Sequence, residues 1–325
     1  MKVPFSKVYG CLVGLAIGDA LGSATEEMSP SSIRRKFGKV QDFVDRNVAG
    51  TDDTEYAMLT AMILLDNHGT LDYEKVAEGW LHRLGEEREF SRGGASEWQA
   101  LQNLKKGVLP PKSGSTGSAT WSDGAAMRIA PIGIYCAGDP GKAAKLAKID
   151  ASVSNSRDGV YCAQALAASV AASFASDDLR SVVDAGMAFL PRGSASDVVI
   201  NRILKTAGKY SNPNSALGGL YSLRSTISTW YAPEALGYAY AMFQLGKGSF
   251  VESVLGAVNL GRDADTIAAM TGALCGAMGG IEGIPGAWVR KCRMVKGTCI
   301  RSFEGIDIRS VARRIWQLQA QGSAS

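Results

Sequence analysis

Histidine is nearly missing from this chain: His68 and His82 are the only two in 325 residues. Six cysteines (Cys11, Cys136, Cys162, Cys275, Cys292 and Cys299) are scattered, with no CxxC pair and none clustered beside a histidine. Zinc therefore has no soft ligand set, and the thiols read as buried and free in a reducing cytoplasm. An excess of one charge is also lacking. Lys and Arg number 35 against 31 Asp and Glu, a net charge of +4, and no basic stripe carries interleaved aromatics, so a nucleic-acid partner is not expected. No apolar stretch reaches the roughly 20 residues of a membrane span. The run from Val8 to Gly18 follows Lys2 and Lys7 like a signal-peptide core, but Asp19 interrupts it and no convincing cleavage site follows. No loop has EF-hand spacing, which argues against a Ca²⁺-binding module.

What is there is the balance of a soluble globular protein, 46% hydrophobic and 20% charged. No Pro-, Gly- or Ser-rich linker divides it, so a single domain over residues 1–325 is expected, with Gln321 to Ser325 frayed. Period-3.6 patterns dominate and clean alternation is hard to find, which predicts an all-α protein. Helices are expected over about 5–21, 52–67, 72–85, 94–106, 123–137, 141–150, 157–174, 178–189, 195–208, 232–245, 249–260, 264–278 and 305–320. The stretches from Lys106 to Asp123 and from Tyr210 to Tyr231 resist a helical reading. Long loops in a compact fold are usually functional, so both are candidates for lining a site.

Two expected helices carry glycine at every fourth position: Gly10, Gly14, Gly18 and Gly22 in the first, Gly272, Gly276 and Gly280 in the one starting near Asp263. A glycine inside a helix costs about 1 kcal/mol relative to alanine, so the stripes require compensation. Either the two stripes pack directly against each other, antiparallel, which would bring Glu26 beside Asp263 and Asp265, or each faces a different bulky neighbour.

The acids themselves stand at helix starts. Thr51, Asp52, Asp53, Thr54 and Glu55 open one helix, and Asp263, Ala264, Asp265 and Thr266 open another. Asp52 with Glu55, and Asp263 with Thr266, have the spacing of capping pairs, and acids in a first turn are favoured by the helix dipole in any protein. Yet a cap needs one oxygen and these clusters offer several. Carboxylates and hydroxyls form the oxygen shell that Mg²⁺ or Mn²⁺ prefers. Two such ions roughly 3.5 to 4 Å apart could share the space between the clusters.

Four runs, in order, carry a family resemblance: GCLVGLAIGDALGSATEE (Gly10 to Glu27), GTDDTEYAML (Gly50 to Leu59), SDGAAMRIAPIG (Ser122 to Gly133) and GRDADTIAAMTGALCGAMGG (Gly261 to Gly280). They resemble the motifs of the ADP-ribosylglycohydrolase family, of the dinitrogenase reductase-activating glycohydrolase type, over nearly the whole chain. The resemblance implies a compact all-helical fold with a binuclear Mg²⁺ centre, sometimes Mn²⁺, in a cleft. It implies hydrolysis of the glycosidic bond at C1 of an ADP-ribosyl group carried by a protein or a small molecule. Position by position, Thr51, Asp52 and Asp53 match one set of metal ligands, and Asp263, Asp265 and Thr266 the other. Glu26 matches a glutamate assigned to coordination or to activating water. Glu26, Asp53 and Asp265 are thus the candidate catalytic acids, with the general base not selected among them.

The substrate-binding positions depart from the family pattern. Where many relatives have a phosphate loop ending in Gly, Asn, Gly, this chain has Trp121, Ser122, Asp123 and Gly124, and Asp123 would place a negative charge where a pyrophosphate lies. Trp121 matches a position where some relatives stack adenine; it could equally cover apolar surface. Asn155 stands where relatives usually have a histidine near the ribose, and asparagine cannot change charge near neutral pH. Arg262 could reach a phosphate or act as a structural clamp on the neighbouring acids. Three functions remain open at this point. The first is hydrolysis of ADP-ribosyl conjugates, with an ADP-ribosylated protein or small molecule as the substrate partner. The second is N-ribosyl hydrolysis of a smaller ribonucleoside-like substrate, and the third a non-catalytic relative comparable to a lens crystallin. No pattern in the sequence specifies an oligomeric state.

Overall fold

The computed structural model describes residues 3–45, 48–86 and 93–322, and within them every regular element is helical. Eighteen α-helices follow one another: α1 (Phe5–Gly22), α2 (Pro30–Phe37), α3 (Asp52–Asp66), α4 (Tyr73–Leu84), α5 (Ala95–Lys105), α6 (Lys112–Ser115), α7 (Gly124–Met127), α8 (Ala130–Tyr135) and α9 (Pro140–Ala151), then α10 (Asp158–Ser173), α11 (Leu179–Met187), α12 (Ala195–Ala207), α13 (Pro213–Tyr221), α14 (Ala232–Leu245), α15 (Phe250–Leu260), α16 (Ala264–Gly279), α17 (Gly286–Cys292) and α18 (Ile308–Gly322). Two isolated bridges, Ser122 to Tyr231 and Met294 to Asp307, are the nearest approach to a sheet among the described residues.

The helices fall into two kinds by how they begin. Ser29, Asp72, Asp139, Asp178, Ser194 and Asn212 each accept a hydrogen bond from the first turn of the helix they precede, and these caps start α2, α4, α9, α11, α12 and α13. By contrast α1, α3, α5 and α16 have no side-chain cap of their own.

At the centre, α1 and α16 cross antiparallel in direct contact, with the glycine stripes facing each other. A Cβ built on Gly10 would lie 2.7 Å from the Gly276 carbonyl oxygen, and one on Gly14 would lie 2.5 Å from that of Gly272. Gly18 and Gly22 meet the backbone at Ala268 and Ala264 in the same way. The direct pairing is therefore the arrangement adopted, and it sets the end of α1 against the start of α16. Helices α3, α8, α15, α17 and α18 pack around α1, while α10, α14 and α15 cover α16.

Several expectations are corrected. The single helix expected over 123–137 is two, α7 and α8, broken where Arg128 turns its guanidinium inward to Glu97 and Asp150. Helices α2, α6, α13 and α17 were not expected; each is short or polar enough to lack a long apolar period. Helix α18 includes Gln321 and Gly322, and 323–325 of the stretch expected to fray lie outside the described residues. The segment Phe5–Thr25 is, by length and composition, long and apolar enough to cross a membrane, contrary to the sequence reading. It is 89% buried inside the protein, as the core helix of a folded chain is. All six cysteines are buried and unpaired.

Candidate active site

A cleft of about 950 Å³ opens where α1, α3, α5, α7 and α16 converge. The α1–α16 pairing supplies its floor. Beyond α1 the chain turns through Glu27, whose N–H donates to the Arg262 carbonyl at 2.6 Å, and Arg262 N–H returns to the Met28 carbonyl at 3.0 Å. This backbone exchange holds the exposed Glu26 beside the buried Asp263 and Asp265.

On the other side Asp19, a fully buried acid in α1, accepts from the Thr51 hydroxyl at 2.8 Å, from the Thr51 N–H at 2.7 Å and from the Thr54 N–H at 3.1 Å, and also from the Thr54 hydroxyl. The start of α3 is thus capped from another helix, which turns Asp52 and Asp53 to the cleft. Carboxylate oxygens of Asp19, Asp53 and Asp265 lie within 4.8 Å of one another, as do those of Glu26, Asp263 and Asp265, so either group could hold a metal ion. The Thr266 hydroxyl donates to Asp53 at 3.3 Å. With their protons directed to Asp53 and Asp19, the Thr266 and Thr51 hydroxyls keep lone pairs available for a cation.

The capping reading of these acids is not what the structure contains. Neither Thr51 before α3 nor Asp263 before α16 caps its own helix through the side chain. Glu55 turns away and accepts from the backbone N–H groups of Thr298 (2.6 Å), Cys299 (2.9 Å) and Ile300, fastening that segment behind the site.

Crowding of like charges shows in the titration of the acids. Burial, with repulsion from Asp19 and Glu97, pushes Asp52 up to about 8. Burial raises Asp53, Asp263 and Asp265 well above the usual carboxylate range, and like charge adds to it: from Asp265 and Asp19 on Asp53, from Asp123 and Glu26 on Asp263, and from Asp263 and Glu26 on Asp265. Burial lifts Asp19 to about 6 against its four hydrogen bonds. Glu26 is raised by partial burial, then by Glu27 and Asp19. Asp53 Oδ1 is buried without a hydrogen-bond partner. An orphaned carboxylate oxygen among mutually repelling acids is a donor set that could hold a hard cation.

The remaining site residues divide. Ser122, Asp123 and Gly124 line the cleft. Asp123 lies close enough to share a hydrogen bond with Asp263, and burial raises it to about 8. Trp121, Asn155 and Arg262 are not among the residues that line the cleft. Trp121 packs edge-to-face on Tyr231 with ring centroids 6.0 Å apart, covering apolar surface. Asn155 is buried and donates to the Ser122 carbonyl at 2.9 Å and to the Thr120 carbonyl at 3.3 Å, bracing the loop from behind. Arg262 is a clamp, but on Glu234 (2.6 Å) and on the Ser225 and Ser228 carbonyls (3.1 and 2.8 Å), not on the adjacent acids.

Both stretches that resisted a helical reading reach the site, through Ala119, Ser122 and Asp123 from one and Trp230 from the other. They are joined there: Asp123 N–H donates to the Trp230 carbonyl at 3.1 Å. Three wall residues, Glu97, Trp98 and Trp230, and the fully buried Asp19 had no signal strong enough to single out. Glu97 is fully buried, accepts from Ser96 Oγ at 2.7 Å, and pairs with Arg128 at 3.0 Å.

An all-helical fold with two acid clusters brought to one cleft by a close helix pair defines a protein built around a carboxylate-rich centre. The family model for ADP-ribosylglycohydrolase matches residues 2–324. An uncharacterized protein of Archaeoglobus fulgidus is 33% identical, over 87% of this chain and 90% of its own length. The ADP-ribosylarginine hydrolase Tri1 of Pseudomonas putida is 30% identical over 88% of this chain and 74% of its own, and the human ADP-ribosylhydrolase ARH3 is 25% identical over 91% of each. A solved structure titled an ADP-ribosylglycohydrolase-related protein complex superposes with a TM-score of 0.69, at 23% identity, over 98% of this chain and all of that one. The chain belongs to the ADP-ribosylglycohydrolase family.

Proposed function

We propose that this protein is a metal-dependent hydrolase that cleaves the glycosidic bond at C1 of a ribosyl group. The observation that carries the reading is that Glu26, Asp52, Asp53, Asp263 and Asp265 line one cleft, with Asp53 Oδ1 buried and without a hydrogen-bond partner. Two Mg²⁺ ions, or Mn²⁺, would be held by Thr51, Asp52 and Asp53 on the α3 side and by Asp263, Asp265 and Thr266 on the α16 side. When bound, such ions supply charge neutralisation, anchor ribose hydroxyls and make a neighbouring water more acidic.

The chain's own residues supply the rest. Asp53 and Asp265, fixed at helix starts, would orient the ribose so that C1 faces the open side of the cleft. Glu26 is exposed at the rim, so it can accept a proton from the attacking water and pass it to solvent. The acids close to C1 would stabilise positive charge developing on the ring as the bond breaks.

The relatives' names support ADP-ribosyl conjugates, on a protein or a small molecule, as the first substrates to try. A second reading keeps the chemistry and takes a smaller, ribonucleoside-like substrate; it is favoured by the buried Asp123 carboxylate in the cleft wall. Incubation with Mg²⁺ and each substrate class, followed by chromatography of the released ribosyl product, tests both. Activity abolished by EDTA and by Asp265→Ala is the expected result. A folded protein that turns over neither class with Mg²⁺ or Mn²⁺ would leave a non-catalytic relative instead.

A further inference from the structure

The small net charge of the chain hides a local excess. Between Trp288 and Arg314 eight Lys and Arg stand against only Glu304 and Asp307, while the rest of the chain has 27 Lys and Arg against 29 Asp and Glu. All eight cations are exposed. Among the described residues Arg293 alone of them makes an ion pair, to Asp307 at 2.6 Å.

This excess forms a ledge beside the mouth of the cleft. Lys291, near the end of α17, lies over the Phe43 ring at 4.8 Å. Lys291 and Lys296 line a shallow recess together with Val48, Ala49 and Gly50, and Ala49 and Gly50 line the cleft as well. Two residues past Lys296, Thr298 also lines the cleft, its hydroxyl donating to the Gly50 carbonyl at 2.9 Å. In the other direction the Arg293–Asp307 pair joins the segment to the start of α18, where Arg309 and Arg313 follow about one helical turn apart. Arg313 lies over the Phe5 ring at 5.1 Å. The backbone of the ledge is fixed: Val295 N–H donates to the Ile306 carbonyl at 2.9 Å, Gly305 N–H to the Val295 carbonyl at 3.0 Å, and Glu55 holds Thr298 and Cys299 from behind. Asp42 and Asp45, on either side of Phe43, reduce the excess without reversing it.

A fixed row of exposed cations attracts an anionic surface, and its chemistry narrows which one. The two aromatics of the segment, Trp288 and Phe303, are buried, so it offers no ring on which nucleic-acid bases stack. Its single large exposed apolar side chain among the described residues is Met294, too little to enter a lipid surface. Carboxylates need neither. Resting on the ribosyl-hydrolase reading above, we infer that the ledge docks an Asp- and Glu-rich segment of a protein that carries the ribosyl group, so that the modified side chain enters the cleft beside Thr298 and Gly50. The substrate is then a modified acidic protein, and the ledge contributes to its KM rather than to bond cleavage.

The test is fluorescence anisotropy with a labelled peptide alternating Glu and Gly, against its Gln–Gly counterpart, a single-stranded oligonucleotide of equal charge and phosphatidylserine vesicles. The proteins are the wild type, Lys291→Glu with Lys296→Glu, the milder Lys291→Gln with Lys296→Gln, and Lys205→Glu with Lys209→Glu, which removes the same charge from α12. The Glu peptide should bind wild type ten-fold or more tightly than the Gln peptide, and less tightly as salt rises through the physiological range. The ledge reversal should cost ten-fold or more, the Gln pair about three-fold, and the α12 reversal less than two-fold. With an ADP-ribosylated arginine placed in each peptide and Mg²⁺ present, the Glu conjugate should show a KM ten-fold below that of the Gln conjugate at equal kcat, an advantage lost in the ledge reversal. Equal binding of the two peptides, or an equal loss in the α12 reversal, overturns the proposal, and hydrolysis of both conjugates with one KM does so while leaving the ribosyl reading intact. Tighter binding of the oligonucleotide or the vesicles overturns it in favour of that partner. A Glu peptide held by the ledge while neither conjugate is hydrolysed overturns the ribosyl reading, and the carrier role of the ledge with it.

Discussion

Gly14 and Gly272 face each other across the α1–α16 crossing, each where a side chain would strike the other's carbonyl oxygen. Because the obstacle is backbone, it cannot rotate aside. Gly14→Ala gains about 1 kcal/mol of helix propensity but forces the helices apart, and overpacking of this kind costs about 1–3 kcal/mol or more. We expect net destabilisation of about 2 kcal/mol in urea unfolding, together with weaker Mg²⁺ binding, since the same crossing sets Glu26 against Asp263. Gly218→Ala on the exposed face of α13, where no atom lies within 4 Å, is the contrasting case. It should raise stability by up to about 1 kcal/mol and leave metal binding alone.

Arg128 stands between two buried acids, bonding Glu97 at 3.0 Å and Asp150 at 3.0 Å and lying over the Trp80 ring. Arg128→Met removes it and strands both carboxylates away from water, a change worth about 3–5 kcal/mol. Arg128→Lys keeps the charge but cannot span both partners, so its loss should be intermediate. Urea unfolding of both variants checks the order.

Arg262 distinguishes a clamp from a phosphate contact. Its guanidinium bridges Glu234 and the Ser225–Ser228 turn, and its backbone sits one residue before Asp263. Arg262→Ala should lower stability by about 3 kcal/mol, leaving Glu234 buried and unpaired. Any loss of ligand affinity should be equal for ADP-ribose and for a nucleoside, because no phosphate contact is removed. A loss confined to ADP-ribose would place the side chain in the cleft after all.

Much of this architecture is legible in the residues because helix period and helix starts are local signals. The glycine repeats reported a close crossing that no single helix requires, and Asp52, Asp53, Asp263 and Asp265 were visible as more oxygens than capping needs. Asp19 gives no such signal, because one acid in a Gly- and Ala-rich apolar helix looks like an interruption; its role depends on α3 ending up beside it. Glu97 looks like any acid in a first helical turn, and only the inward turn of Arg128, 31 residues later, makes it a fixed part of the wall. The same limit explains Asn155 and Arg262. Their chemistry suited a ligand, but their nearest partners are the Thr120–Ser122 loop and Glu234, contacts set by packing rather than by spacing.

The metal-free protein should lose stability as pH rises. Asp52 and Asp123 titrate near 8 and Asp19 near 6 in the fold, against ordinary carboxylate values in the unfolded chain. Between about pH 4 and 8 the folded state therefore holds more protons than the unfolded state, and stability falls with pH across that window. Divalent cations reverse the sign, because they favour the ionised carboxylates and release those protons on binding. In EDTA the melting temperature should drop from pH 5 to pH 8; with excess Mg²⁺ that drop should vanish, and at pH 8 a metal at 100 times its dissociation constant adds about 2.7 kcal/mol. Asp53→Asn removes one of the repelling charges, so its metal-free melting point should fall less with pH while the gain from Mg²⁺ shrinks sharply. An identical pH slope with and without Mg²⁺ would mean that these acids meet a cation nowhere in the cleft.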